Sequence, residues 1–93
     1  MNWYLNKSNI HGVGIFTSKY LNKNELIDTV IINYSITDFG SKINHSFKPN
    51  CRLVQNKNNY YLVANENIYP HTELTSDYNK GPFFVKRADP TWS

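Results

Sequence analysis

Three short segments contain residues whose types and spacing could support ligand binding and chemistry. Gly12 and Gly14 flank Val13, and without Cβ atoms the backbone there could approach a ligand, although taken alone a plain glycine turn explains the pair better. The amide of Asn44 offers donors and an acceptor, which suits a ligand with amine and carboxylate groups; an Asx-turn is the alternative. The hydroxyl of Tyr78 could orient a reacting group, but its ordinary pKa of about 10 makes it a poor base at neutral pH. Positioning is therefore its expected role, and packing on the core is the alternative.

Metal binding and nucleophilic catalysis find little support in the sequence. His11, His45, His71 and Cys51 are scattered, without i, i+4 or CxxC spacing, so we expect no metal site. Ser46 follows His45 directly, and sequence neighbours seldom face one another as a catalytic dyad does.

The composition predicts one small folded domain over residues 1–93. Seven Tyr, five Phe and two Trp argue against disorder, and a net charge of +3 without a run of five basic residues permits nucleic-acid contact without requiring it. A single cysteine indicates a reducing compartment. No apolar stretch suggests a signal segment or a membrane span. We therefore expect a soluble, intracellular protein with no membrane contact.

The elements that must position these residues are predicted to be strands. Short runs of β-branched and aromatic residues recur about every ten residues and are bounded by Asn, Gly, Pro and Ser. No segment has apolar residues at helical spacing between capping residues. A polar turn over residues 55–60 predicts a hairpin between two of the strands. The predicted strands cover residues 15–17, 26–33, 51–55, 60–64 and 73–78.

Two segments of the sequence echo each other. Residues 20–26 and 68–74 both run from an apolar residue through a polar turn to Glu-Leu and a strand. Asn24 and His71 stand where such a turn often needs a positive φ, which Asn and His tolerate better than most residues. Chance similarity between two hairpin turns is the alternative explanation.

Three segments, in order along the chain, resemble the motifs of the SET-domain family of protein lysine methyltransferases. The GxGxFA opening and the strand that follows it are similar to residues 11–17 and 21–27. The NHSxxPN core is similar to residues 43–51, which read INHSFKPNC. The closing segment, which ends in ELTxDY, is similar to residues 61–68 and 73–78.

The resemblance implies a mainly β fold of the SET type, the β-clip of short sheets, with a C-terminal segment threaded through the NHS loop. It implies S-adenosylmethionine as the cofactor and Tyr78 as the catalytic residue. Phe83 and Trp92 are candidates to stack on the adenine, with core closure as the alternative, and a buried, satisfied histidine is the alternative for His45. The cofactor-binding residues that the resemblance implies are Gly12, Val13, Gly14, Asn44, His45 and Phe83.

The sequence departs from the family pattern between Asp28 and Asn44, where only fifteen residues lie. The family places a longer segment there, which lines the substrate groove. Minimal viral members are similarly short and work as homodimers, so the resemblance implies a homodimer and suggests a virus-encoded protein acting in a host cell. If the last strand alternates, Glu73 and Asp77 point away from the face of Tyr78, and we expect these acids to lie off the catalytic face.

The function that follows is methyl transfer from S-adenosylmethionine to a lysine side chain of a protein substrate. The alternative is a non-catalytic SET-like β module that binds nucleic acid or a protein partner. Lys80, Lys86 and Arg87 could form a phosphate-facing patch in such a module, although solvated tail charges explain them as well. The three motifs together favour the enzyme, because a pure binding module has no chemical need for all of them.

Overall fold

The computed structural model describes residues 2–77, which form three small sheets and one short helix. Along the chain the elements are β1 (Trp3–Lys7), β2 (Val13–Thr17), β3 (Leu26–Ile32), β4 (Ser35–Ile36), α1 (Asp38–Ser41), β5 (Asn44–His45), β6 (Cys51–Asn56), β7 (Asn59–Ala64) and β8 (Thr75–Ser76). β1 pairs with β2, the order β4-β3-β7-β6 forms a four-stranded sheet, and β5 pairs with β8. The predicted mainly β fold is confirmed, while the threaded C-terminal segment lies outside the described residues.

Four of the five predicted strands agree with β2, β3, β6 and β7 to within two residues at each end. Of the fifth, predicted over residues 73–78, only Thr75 and Ser76 pair as a strand within the described part of the chain, which ends at Asp77. Strand β1 was not predicted. Its residues pair antiparallel with β2 from Trp3 opposite Thr17 to Lys7 opposite Val13.

The predicted hairpin at residues 55–60 is confirmed by the pairing of β6 with β7. The pairs run from Cys51 opposite Ala64 to Asn56 opposite Asn59, and Lys57 closes the turn with a φ of 57°. β3 pairs along the other side of β7, with two irregularities in register. Strands β3 and β7 are therefore the two inner strands of the sheet.

The hydrophobic core lies between this sheet and the segments that cover it. Trp3 packs against the core, its ring edge-on to Phe39 at 5.0 Å, and its indole N–H donates to the carboxylate of Asp28 at 3.0 Å. The unpredicted β1 is thus attached to the core mainly through its first residue. The buried cluster comprises Ile15, Leu21, Val30, Ile31, Phe39, Ile43, Cys51, Leu62, Ala64, Ile68 and Leu74.

The helix α1 is a single turn of four residues. The hydroxyl of Thr37 caps it by accepting from Gly40 N at 3.0 Å, and it donates to the carbonyl of Thr29 at 2.7 Å. A helix this short has no room for a repeating apolar stripe, which is why periodicity does not predict it. Within residues 2–77 no helix is long and apolar enough to cross a bilayer.

The two echoing segments meet in space. The backbones of Leu21 and Ile68 exchange two hydrogen bonds of 2.9 Å. Asn24 has a φ of 72° and His71 a φ of 67°, which confirms the positive φ predicted at both positions. The first turn leads into β3, and the second leads into the segment before β8.

Candidate functional site

Pairing between β5 and β8 brings the second and third motif segments together. The two strands are parallel, with Asn44 opposite Thr75 and His45 opposite Ser76, and Ser46 N donates to the carbonyl of Ser76 at 3.0 Å. The first motif segment adjoins the same place, because Phe16 of β2 forms a bridge with Glu73 and Leu74 N donates to Ile15 O at 2.8 Å. All three segments singled out in the sequence therefore meet.

Asn44 lies at the centre of this meeting point and is 7% exposed. Its Nδ2 donates to the carbonyl oxygens of His11 at 3.0 Å and Val13 at 3.3 Å, and to Glu73 Oε2 at 2.9 Å. Since all three partners are acceptors, the amide nitrogen must face them. Its Oδ1 accepts no hydrogen bond from residues 2–77, so an acceptor remains for a ligand.

Glu73 is a member of the site that was not among the predicted site residues. Its carboxylate accepts from Asn44 and from the hydroxyl of Ser8, which lies 2.8 Å from each carboxylate oxygen. That hydroxyl also accepts from the backbone N–H groups of Ile10 and His11, at 2.9 and 3.3 Å. Glu73 precedes β8, so strand alternation does not extend to it. Because Tyr78 lies outside the described residues, the expectation that Glu73 lies off the catalytic face stays a prediction.

The two glycines of the first motif are suited to their positions for different structural reasons. Gly12 has a φ of 52°, and a Cβ placed there would meet nothing within 4 Å. A Cβ on Gly14 would instead lie 2.7 Å from Cδ of Glu73 and 3.2 Å from Nδ2 of Asn44. The close approach at Gly14 is therefore to the protein's own carboxylate. Val13, between them, is 48% exposed, and its contact with a ligand stays a prediction.

His45 is buried beneath the site. Its ring meets that of Phe47 edge-on at 4.2 Å, and Nδ1 lies 3.7 Å from the carboxylate of Asp77. These contacts give His45 a packing role, and its predicted part in cofactor binding stays a prediction.

Asn50 links the second motif to the third, a role that the sequence does not reveal. Its Nδ2 donates to the carbonyl of Glu73 at 2.8 Å and its Oδ1 accepts from Thr75 N at 2.9 Å. An asparagine amide can pair with a backbone in this way because it has the same donor and acceptor groups as a peptide. Asn50 therefore positions the segment that leads to Tyr78.

A cleft of about 300 Å³ adjoins Asp77, the last described residue before Tyr78. Burial raises the pKa of the Cys51 thiol in its wall to about 12, so this thiol stays protonated at neutral pH and is no nucleophile. The cleft is lined by Pro49, Cys51, Arg52, Leu53, Asn65, Ser76 and Asp77.

Several predicted residues lie outside the described part of the chain. They are the catalytic candidate Tyr78, the aromatic candidates Phe83 and Trp92, and the basic residues Lys80, Lys86 and Arg87. Within residues 2–77, no three His, Cys, Asp or Glu side chains are grouped so that they could hold a metal ion.

In a comparison with known protein families, the matched region contains the second and third motifs. The SET domain profile matches residues 29–79. The crystal structure of a candidate histone methyltransferase from Plasmodium falciparum is similar, with a TM-score of 0.67 and 28% sequence identity, covering 83% of this chain and 92% of that one. No curated protein sequence matches the chain.

Proposed function

The chain belongs to the SET domain family, and from this premise we propose that it transfers a methyl group from S-adenosylmethionine to a lysine side chain of a protein. The observation that carries the proposal is the meeting of the three motif segments at Asn44. The similarity to the Plasmodium protein supports the same reaction class.

The residues around Asn44 fit the proposed cofactor. The amino-acid end of S-adenosylmethionine carries an ammonium group, which is a donor, and Asn44 Oδ1 is an acceptor with no partner among the described residues. The carboxylate of Glu73 accepts from the nitrogen of the same amide, which leaves the oxygen for the cofactor. Open space next to Gly12 leaves one side of the loop accessible.

When bound there, S-adenosylmethionine would supply a methyl group activated by the sulfonium charge. The protein's task is then to position a lysine amine and to favour its neutral form. Free lysine has a pKa of about 10.4, which apolar surroundings and a neighbouring positive charge both lower. Tyr78 is the proposed positioning group, since its hydroxyl can hold the amine while its ring forms a wall.

Calorimetric titration with S-adenosylmethionine tests cofactor use. We expect saturable heat for the wild-type protein and weaker binding for Asn44→Ala by about 1–3 kcal/mol, because the cofactor's donor loses its acceptor. The matched control is Asn58→Ala, an exposed turn position away from the site. Absence of heat at millimolar cofactor would contradict the proposal and favour the non-catalytic binding module.

Tyr78→Phe tests the chemical step. This change keeps the ring and removes only the hydroxyl, so we expect a folded protein that still binds S-adenosylmethionine. Transfer of labelled methyl to histones or to a mixed protein extract should fall about a hundredfold or more, as when one preorganised donor is removed from an active site. Transfer at the wild-type rate would exclude Tyr78 as the catalytic residue.

A further inference from the structure

Glu73 connects three segments that are distant in sequence. Its carboxylate accepts from Ser8, 65 residues away, and from Asn44, 29 residues away. Its own backbone is tied to a third place, since its carbonyl accepts from Asn50 Nδ2 at 2.8 Å. The Glu73 carboxylate is therefore fixed by the hydroxyl of Ser8, and it in turn fixes the amide of Asn44.

The three acceptors around the Asn44 amide are not equivalent. The carbonyls of His11 and Val13 belong to the loop that follows β1 and to the first residue of β2, where that loop ends, and only Glu73 comes from another part of the chain. Its hydrogen bond to Asn44 is charge-assisted and is the shortest of the three, at 2.9 Å. Through Ser8, the same carboxylate also anchors the loop that carries the two carbonyls.

We propose that Glu73 is the positioning residue of the cofactor site, which holds the Asn44 amide nitrogen so that Oδ1 faces the ligand. This inference rests on the proposed function. Two hydrogens on Nδ2 serve three fixed acceptors, so the opposite orientation of the amide would place its oxygen against a carboxylate and two carbonyls. Glu73 thereby determines that the site offers an acceptor to the cofactor's ammonium group.

The first test needs no cofactor. In the ligand-free protein, the side-chain amide protons of Asn44 should exchange slowly with solvent in NMR spectra, because the group is held by fixed acceptors. We expect Glu73→Ala to speed this exchange and to shift both signals, and Glu73→Gln, which retains an acceptor oxygen, to preserve part of the protection. The matched control is Glu66→Gln, the same charge change at an exposed residue. Unchanged Asn44 signals in a folded Glu73→Ala protein would overturn the inference.

The second test measures affinity for S-adenosylhomocysteine, a stable ligand with the same amino-acid end. We expect binding to weaken about tenfold in Glu73→Ala and less in Glu73→Gln, with Glu66→Gln equal to wild type. In an Asn44→Ala background, Glu73→Gln should cause no further loss, because its effect passes through the missing amide. Equal losses in both backgrounds would show a merely structural role and overturn the inference.

The outcomes separate this inference from the proposed function. A wild-type protein that binds neither S-adenosylmethionine nor S-adenosylhomocysteine overturns the proposed function, and the inference with it. A wild-type protein that binds both, with Glu73 variants that bind equally well, overturns the inference alone.

Discussion

The side chains around Asn44 are paired with one another, and the pairing determines which atom is left for a ligand. Ser8, Asn44 and Glu73 share three hydrogen bonds of 2.8 to 2.9 Å, and Asn44 donates two more to the carbonyls of His11 and Val13. A half-buried carboxylate left without donors would be costly, so each partner stabilises the others. The amide oxygen of Asn44 is the group that this network does not use.

Cys51 makes stability depend on pH in the alkaline range. Its thiol is fully buried, and burial raises its pKa from 9.0 to about 12. Above pH 9 the unfolded chain loses this proton while the folded protein keeps it, so the stabilisation present below pH 9 is lost progressively up to about pH 12. We expect the free energy of unfolding to fall by about 1 kcal/mol between pH 7 and pH 10 through this group.

Urea denaturation of wild type and Cys51→Ala at pH 7 and pH 10 measures this effect. Cys51→Ala is less stable at both values because it leaves a small cavity, but its deficit should shrink at pH 10. A deficit that is the same at both pH values would contradict the raised pKa.

The conformation or role of a residue can be predicted from the sequence where it depends on neighbouring residues in the chain. The positive φ of Asn24 and His71 was predicted because a tight turn selects its own residue types. The role of Glu73 was missed because its partners lie 65 and 29 residues away. A single sequence without structure carries no signal that joins such positions.

At the level of elements, the site depends on strands too short to be recognised or to be stable alone. β5 and β8 pair over two residues each, whereas isolated pairs of strands are marginal even when longer. Asn50 supports them from the side, through its hydrogen bonds to Glu73 O and Thr75 N. Their parallel pairing comes from tertiary structure, while the longer β3, β6 and β7 were predictable from composition and turns.

Alanine substitution at the two glycines separates a backbone requirement from a packing requirement. Gly12→Ala should cost about 1–2 kcal/mol, the penalty of an L-residue at positive φ in open space. Gly14→Ala should cost about 1–3 kcal/mol, because its methyl displaces the Glu73 carboxylate from Ser8 and Asn44. Urea denaturation measures both.

The decisive comparison is a double variant. Glu73→Ala should remove most of the additional cost of Gly14→Ala, since the atoms that the new methyl meets are gone, and should leave the cost of Gly12→Ala unchanged. If Glu73→Ala adds the same amount to both glycine variants, Gly14 is not required by the carboxylate.

At the level of the whole molecule, the chain is too short to bury all of its apolar side chains. A domain of this size buries only about 60–65% of its unfolded surface. Exposed strand residues include Leu26 at 57%, Ile36 at 51% and Val54 at 39%. The segment between Asp28 and Asn44, where the family has a longer groove-lining region, contributes only β4 and α1 beyond the end of β3.

A homodimer would cover part of this surface, and we expect the protein to be a dimer in solution. Light scattering at tens of micromolar should give twice the chain mass of 10.9 kDa. Because apolar contacts do not depend on long-range charge attraction, the dimer should persist at about 1 M NaCl, where charges are screened beyond about 3 Å. A dimer that dissociates in salt would indicate contacts between charged groups instead. A mass of one chain at low salt would contradict the prediction, and the domain would then have to complete its substrate site with its own residues.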